Sequence, residues 1–181
     1  MNNQPVKEHG YYLHYKHMVY KLIAFVTTDD NERQKQLLYQ PQYATPEFGE
    51  LLLWAKPIDS FFLNIKNPKN KNELIPRFEY LGMNEEEVKQ ELKKKKIDIT
   101  PEFRKTSMLD KNIENLVHGD YKILAFAKDS DAENLTTAEN LIIYLKKGER
   151  DMLILPEKEF FKKSGINSKD PTIAKYLKHQ I

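Results

Sequence analysis

The chain of 181 residues contains no cysteine. Disulfide bonds, thiol nucleophiles and thiolate metal sites are therefore excluded, and the absence is typical of a cytoplasmic protein. The sequence also lacks any apolar run of the ~18 residues that a membrane-spanning helix requires. Its amino terminus, MNNQPVKEHG, has no apolar segment like that of a signal peptide. We therefore expect a soluble cytoplasmic protein that does not bind membranes.

The chain also has little net charge, formally +2 at neutral pH. No strong overall field therefore draws it towards nucleic acid or anionic lipid. Nine phenylalanines, ten tyrosines and one tryptophan are too many aromatic residues for a disordered chain. We expect a folded globular protein.

Sequence motifs for common catalytic sites are absent as well. The chain contains no GxGxxG, GxxxxGK[ST], HExxH or GxSxG pattern. Its five histidines show no metal-ligand spacing: His9, His14, His17, His118 and His179. We therefore predict no catalytic residue, no metal site and no cofactor.

The main positive signal is an internal repeat. The segment YKLIAFV, residues 20–26, recurs as YKILAFA, residues 121–127. Two further pairs of blocks follow in the same order: LLY with IIY (residues 37–39 and 142–144), and LWAKPIDSFF with MLILPEKEFF (residues 53–62 and 152–161). This order predicts two copies of one domain, at residues 8–80 and 113–168.

Each copy has the composition of short β-strands separated by polar turns, which is typical of a small barrel or sandwich. The segment between the copies, residues 81–112, is predicted to be a helical linker. Asn84 would cap its helix, and Glu87 would complete a capping box. A last helix is predicted within residues 169–181, with Asp170 as its cap and Pro171 at its first position.

Three short motifs stand in order in the first copy: HYK at residues 14–16, LWAKP at residues 53–57 and IPRF at residues 75–78. They resemble the ordered motifs HYKG, LWVRP and VPRF of a bacterial family, domain of unknown function 1653. The resemblance implies an SH3-like β-barrel and implies no activity. The fold class expected is therefore mainly β with short helices: a tandem of two SH3-like small β-barrels, a helical linker and a C-terminal helix.

The sequence departs from the family pattern at three places. His17 stands where the family has glycine, and Lys56 replaces an arginine. The stretch 27–30 replaces one that usually holds His and Ser before an acidic residue. The second copy is interpreted as a degenerate relative, identified mainly through the first.

Comparing the copies separates fold from function. Residues kept in both copies are expected to be architectural. The set that the second copy loses is aromatic and basic, and it is the predicted binding face: His14, Tyr15, Lys16, Trp54, Lys56 and Arg77.

Each of these residues also has a plainer interpretation. Trp54 would pack in the core, since that is the commoner role of tryptophan. His14 has no evident carboxylate or nucleophile partner in the sequence. Arg77 would hold an anion, or pair with Asp59 or Glu79.

The third strand of each copy indicates which face is covered. Leu53 and Ala55 correspond to apolar residues in the second copy and are expected to face the core, so Trp54 and Lys56 point the other way. The second copy has Leu153 and Leu155 at the positions of Trp54 and Lys56. We expect these two leucines to pack between the halves, against the first barrel or a helix.

The first functional hypothesis is therefore a non-enzymatic module that binds a partner through the aromatic-basic face. A protein or peptide is slightly favoured over nucleic acid because the net charge is small. The alternatives are an enzyme acting on nucleotides or nucleic acid with a His14, Lys16 and Arg77 pocket, and a purely structural tandem. A concave site where these groups converge would favour the enzyme, and a flat exposed aromatic patch would favour the non-enzymatic binding module.

Overall fold

The structure is a computed structural model that describes residues 6–45, 52–107, 109, 116–130, 138–171 and 173–174. Its elements, in chain order, are β1 (Tyr11–His14), β2 (Met18–Thr28), β3 (Lys35–Pro41), β4 (Trp54–Pro57), α1 (Ile58–Phe61), β5 (Asn64–Asn67), β6 (Asn70–Pro76), β7 (Phe78–Gly82), α2 (Glu85–Lys94), β8 (Val117–His118), β9 (Tyr121–Asp129), β10 (Asn140–Lys146), β11 (Leu153–Pro156) and α3 (Glu157–Ser164).

Nine of these strands form one mixed sheet. Eight follow the order β11-β10-β9-β4-β3-β2-β1-β7, and β8 pairs with β9. Strand β11 also pairs with β2, so the six strands β2, β3, β4, β9, β10 and β11 close into a ring. The mainly β class is confirmed, but the predicted tandem of two separate barrels is wrong because the strands of both halves share one sheet.

The two halves have the same strand pairing, residue for residue. In the first half Leu22 pairs with Tyr39 and Ala24 with Leu38, with a bulge between the two pairs. In the second half Ile123 pairs with Tyr144 and Ala125 with Ile143, again with a bulge. The pairing of β3 with β4 is likewise matched by that of β10 with β11.

The two junctions between the halves are also equivalent. Both are parallel: β4 pairs with β9, and β11 pairs with β2. The backbone N–H of Lys128 donates to the carbonyl of Leu53, and that of Thr27 donates to the carbonyl of Met152, both at 2.9 Å. Each half lends an edge strand to the other, which pairs backbone groups that would otherwise be exposed.

The largest core fills the ring and draws on both halves. Leu38, Leu53 and Ala55 of the first half lie in the same buried cluster as Leu153 and Leu155 of the second. Leu153 and Leu155 are buried members of this cluster, on the face of β11 that corresponds to the Trp54 and Lys56 face of β4. That they pack between the halves stays a prediction. A core of this size stabilises a closed sheet better than two separate small cores could.

Two smaller cores cover the outer face of the first half. One is aromatic and includes Tyr20, Tyr39, Trp54, Phe61 and Phe78. The other packs β1 and β7 against α2 through residues such as Leu13, Leu81, Val88 and Leu92.

The helices follow local sequence signals. Helix α2 lies in the predicted linker, and the Asn84 side chain accepts a hydrogen bond from the Glu87 N–H at 3.0 Å. The Glu87 carboxylate accepts from the backbone N–H of Met83, one residue before the cap, and from the Asn84 side-chain amide, which is a variant of the predicted capping box. Of the predicted last helix, Pro171, Ile173 and Ala174 are helical, and residues 172 and 175–181 lie outside the described residues. Among the helices described, none is long and apolar enough to cross a membrane.

Candidate functional site

All six residues of the predicted binding face line one cleft on the first half of the molecule. The cleft has a volume of about 330 Å³. Its lining is aromatic, basic and hydroxyl-bearing: His14, Tyr15, Lys16, Met18, Tyr20, Tyr39, Tyr43, Trp54, Lys56, Arg77, Phe78 and Ser130. The site is therefore concave rather than a flat patch.

The β1–β2 turn supplies one wall of the cleft. His14 ends β1 and pairs with Met18, which leaves residues 15–17 as a three-residue turn. The turn is closed by a 2.8 Å hydrogen bond from the His17 N–H to the His14 carbonyl. His17 has φ of 62°, a left-handed conformation that favours glycine. A glycine, which the HYKG motif has at this position, would adopt this conformation without strain.

Strand β4 supplies the floor. Trp54 and Lys56 point to the same face and are only 5% and 4% exposed. Trp54 lies within the aromatic core, as its packing interpretation predicted, and its edge reaches the cleft. Leu53 and Ala55 lie in the shared core, so the predicted division of this strand into two faces matches the structure.

Arg77 closes the site from the segment between β6 and β7. Its guanidinium Nη1 donates to the Ser60 carbonyl at 3.3 Å, and its own carbonyl accepts from the Tyr15 N–H at 3.1 Å. The residue thus ties the β1–β2 turn to α1 while its side chain lines the cleft.

Three cations make the cleft electropositive: Lys16, Lys56 and Arg77. Burial, and then the nearby charge of Arg77, lower the pKa of Lys56 to about 8, whereas Asp129 acts in the opposite direction. Burial also raises the pKa of Asp129, against the effect of Lys56. Lys56 is therefore mostly protonated at neutral pH and can lose its proton under mildly alkaline conditions.

His14 is uncharged at neutral pH. Burial, followed by the charges of Arg77, Lys16 and Lys56, lowers its pKa to about 4. Its ring lies 4.3 Å from the Tyr15 ring and 4.8 Å from the Phe78 ring, measured between centroids. A neutral imidazole in this position can both donate and accept a hydrogen bond.

Three tyrosines form the opposite wall. The Tyr20 and Tyr43 hydroxyls are 2.8 Å apart, and the Tyr20 and Tyr39 rings meet edge to face at 5.4 Å. Burial raises the pKa of Tyr20 and of Tyr43, so both are protonated and can donate hydrogen bonds. The guanidinium of Arg104 holds the Tyr43 carbonyl at 2.7 Å.

The second half of the chain contributes to this cleft. The parallel pairing of β4 with β9 sets Ala55 opposite Asp129 and places Ser130 beside the site. The Ser130 hydroxyl donates to the Ala55 carbonyl at 2.8 Å and lines the cleft. The site is therefore built by both halves.

The corresponding position in the second half is filled by side chains from both halves. Leu153 and Leu155 stand in place of Trp54 and Lys56, and both are buried. Tyr144, which corresponds to Tyr39, donates its hydroxyl proton to Asp29, and Lys163 pairs with the same carboxylate at 2.7 Å. An ion pair and two leucines thus occupy the place of the cleft.

The sequence comparison missed the tyrosines and Ser130. Tyr20 and Tyr39 were assigned to architecture because the second copy keeps them, yet they serve both the core and the cleft. Ser130 lies in the other copy, where only the strand pairing reveals its role. Across the described part of the chain, no group of three or more His, Asp or Glu is placed to hold a metal ion.

Comparison with known proteins relates the first half of the chain to a family. Residues 10–80 match the model of a family described as protein of unknown function (DUF1653). No curated protein and no solved structure matched the chain. The matched segment contains β1 to β6, the first part of β7 and every cleft residue except Ser130. Residues 10–80 therefore form a DUF1653 domain.

Proposed function

We propose that the protein is a non-enzymatic binding module whose cleft holds a small anionic group, a phosphate or a carboxylate, attached to a planar ring. The observation that carries the proposal is the convergence of Lys16, Lys56 and Arg77 with aromatic side chains in one concave site. Arginine and lysine supply charge-assisted hydrogen bonds to such anions. The tyrosine and tryptophan edges offer apolar contact for a ring.

The size of the cleft supports a small ligand group rather than a broad protein face. Its volume of about 330 Å³ is at the lower end of the range for small-molecule sites. Lys56 is buried at the floor of the cleft, so a ligand group must enter the cleft to contact its ammonium. A partner protein would have to insert a side chain or a chain end to reach it.

The second half, residues 113–168, is in this proposal a degenerate copy of the DUF1653 domain. The matching registers, bulges and junctions of the two halves support a shared origin. Its cleft is replaced by Leu153, Leu155 and the Asp29–Lys163 ion pair. The second half would then serve as a scaffold that completes the first cleft with Ser130.

The test is a titration monitored by NMR with inorganic phosphate, benzoate and adenosine monophosphate. We expect amide shifts around the β1–β2 turn and β4, and we expect Lys56→Met and Arg77→Gln to weaken binding by tenfold or more. Lys147→Gln is the matched control, because Lys147 is exposed and lies outside the cleft. If none of the three probes shifts these amides while all proteins stay folded, the proposal is wrong and a structural role gains support.

An enzyme acting on nucleotides is the second candidate. The concave site in which His14, Lys16 and Arg77 converge is the arrangement expected of such an enzyme, and the protonation of two cleft residues favours it as well. Lys56 has a pKa of about 8 and His14 one of about 4, so a basic amine and a neutral imidazole line the same cleft. Such groups serve as nucleophile or general base in other proteins. Turnover of the bound nucleotide, lost in Lys56→Met and kept in Lys147→Gln, would establish this candidate in place of the module.

A further inference from the structure

The β5–β6 hairpin is a separate two-stranded sheet beside the main sheet. It pairs Asn64 with Pro76 and Lys66 with Leu74. Two apolar side chains at the hairpin are open to solvent: Leu63 is 54% exposed and Leu74 is 65% exposed. A lone two-stranded ribbon has little stability of its own. The sequence motifs gave no sign of this element.

The hairpin is positively charged. Lys66, Lys69 and Lys71 are exposed, and Glu73 is its one acidic residue. The Glu73 carboxylate accepts a hydrogen bond from the Asn67 side-chain amide at 2.7 Å. The net charge of this short ribbon is thus about as large as that of the whole chain, which is formally +2. A local patch of this kind attracts polyanions even when the whole protein is nearly neutral.

The base of the hairpin adjoins the cleft. Arg77 follows the last residue of β6, and its N–H donates to the Leu63 carbonyl at 2.9 Å, which closes the hairpin. The Arg77 side chain lines the cleft. Four strand residues lead from this base to the turn, a length of roughly 13 Å. The hairpin that carries the three lysines therefore extends from the edge of the cleft.

We propose that the cleft and the hairpin together bind single-stranded nucleic acid. One nucleotide would occupy the cleft, with its phosphate at Lys56 and Arg77, and the next phosphates would follow Lys66, Lys69 and Lys71. Aromatic side chains beside a basic track are the usual means of holding single strands without sequence preference. An acidic peptide would meet the same lysines but would make no use of an aromatic cleft. This inference rests on the proposed anion site and extends it to a polymer.

The experiment is fluorescence anisotropy with labelled single-stranded DNA and RNA of about a dozen nucleotides, each at low and at physiological salt. We expect both to bind more tightly than adenosine monophosphate. The triple variant Lys66→Gln, Lys69→Gln, Lys71→Gln should lose tenfold or more in affinity at low salt. The slope of log affinity against log salt should fall by about two, since each phosphate contact on a single strand contributes about 0.7.

A matched triple variant controls for the loss of three charges. Lys147→Gln, Lys158→Gln, Lys162→Gln changes the net charge equally at exposed positions away from the hairpin, and its affinity should stay within about twofold of wild type. The hairpin variant should still bind adenosine monophosphate normally. Circular dichroism and melting temperature confirm that each variant is folded.

Three outcomes would overturn the inference. In the first, the oligonucleotides bind no more tightly than the mononucleotide, or the hairpin variant binds them as wild type does. In the second, polyglutamate binds as tightly as the oligonucleotides. In the third, oligonucleotide binding survives Lys56→Met. In the first two cases adenosine monophosphate would still bind in the cleft, so the proposed function would stand without this extension.

Discussion

Lys56 is a buried lysine at a position where the related family has arginine. The two residues are not equivalent, because a guanidinium keeps its charge at any physiological pH while an ammonium can be deprotonated. In this cleft, burial and Arg77 both disfavour the charged form of Lys56. The substitution therefore turns a permanent charge in the site into a titratable one.

The pKa of Lys56 gives the first prediction. Carbon NMR of the lysine ε-methylene should report a pKa of about 8, well below the ordinary 10.5. Arg77→Gln should raise this value because it removes a like charge, and Asp129→Asn should lower it because it removes an opposite one. Anion affinity should fall as pH rises through the same range. A wild-type pKa near 10.5 would contradict the buried, electropositive site.

His14 gives a second prediction, on acid stability. Its folded-state pKa of about 4 is below the ordinary 6.5, so the unfolded chain takes up the proton first as pH falls. The free energy of unfolding is therefore not reduced by His14 above pH 6.5, and it falls as pH drops from 6.5 towards 4. Because the side chain is partly exposed, we expect the free energy of unfolding to fall by about 1–2 kcal/mol, roughly half of what the full pKa difference corresponds to.

Urea unfolding at neutral and acidic pH checks this expectation. His14→Gln should lose less stability on acidification than wild type, by the same 1–2 kcal/mol. His118→Gln, which removes a histidine far from the cleft, should behave as wild type. Equal acid sensitivity in wild type and His14→Gln would contradict this, because it would show that His14 binds its proton equally well in the folded and the unfolded protein.

That the six selected side chains bind a partner stays a prediction, but their positions can be compared with the sequence. Comparing the copies selected six side chains that the fold places in one cleft. Tyr39 has two roles, because its ring packs in the core and its edge lines the cleft. Comparing the copies could not identify such a residue. It also could not find Ser130, because that contribution depends on which strands become neighbours.

At the scale of single elements, the β1–β2 turn contains a residue in a strained conformation. His17 has φ of 62°, which costs a non-glycine residue about 1 kcal/mol or more. We predict that His17→Gly stabilises the protein by about 0.5–1 kcal/mol, a gain reduced by the greater freedom of glycine in the unfolded chain. His17→Ala should bring no such gain. Urea unfolding compares the three proteins, and a less stable glycine variant would contradict the turn geometry.

The bulge in β2 shows why strand faces are hard to predict. Simple alternation puts Tyr20, Leu22, Ala24 and Val26 on one face. The bulge between Leu22 and Ala24 interrupts this, so Leu22 lies in the aromatic core and Ala24 in the shared core. Nothing in the composition of YKLIAFV marks the extra residue. The same bulge in β9 shows that it belongs to the architecture of both halves.

At the scale of the whole molecule, the closed sheet could not be predicted from the repeat. Local sequence sets strand identity and hairpin register, but it does not determine which edge a strand offers to a distant segment. Each half has three principal strands in the ring and could have closed alone or paired with the other half. In the structure each half pairs with the other. The parallel junctions β4–β9 and β11–β2 pair both edges and enclose one larger core.

A shared core predicts that the two halves unfold together. Trp54, the one tryptophan of the chain, reports on the first half through its fluorescence. Leu153→Ala, a cavity in the second half, should lower the free energy of unfolding by about 2–5 kcal/mol. Its urea transition should shift equally by tryptophan fluorescence and by circular dichroism. Val117→Ala, at a side chain 54% exposed, is the control and should shift neither.

The double variant Leu153→Asp, Leu155→Asp tests the same coupling more severely. Two carboxylates in a core shared by both halves should leave no folded protein, and the Trp54 emission should be that of the unfolded chain. Independent halves would instead leave native Trp54 emission and a second, separate transition. That result would contradict the closed sheet. Strand β11 pairs with β2 of the first half, so β11 cannot unfold without exposing the edge of β2.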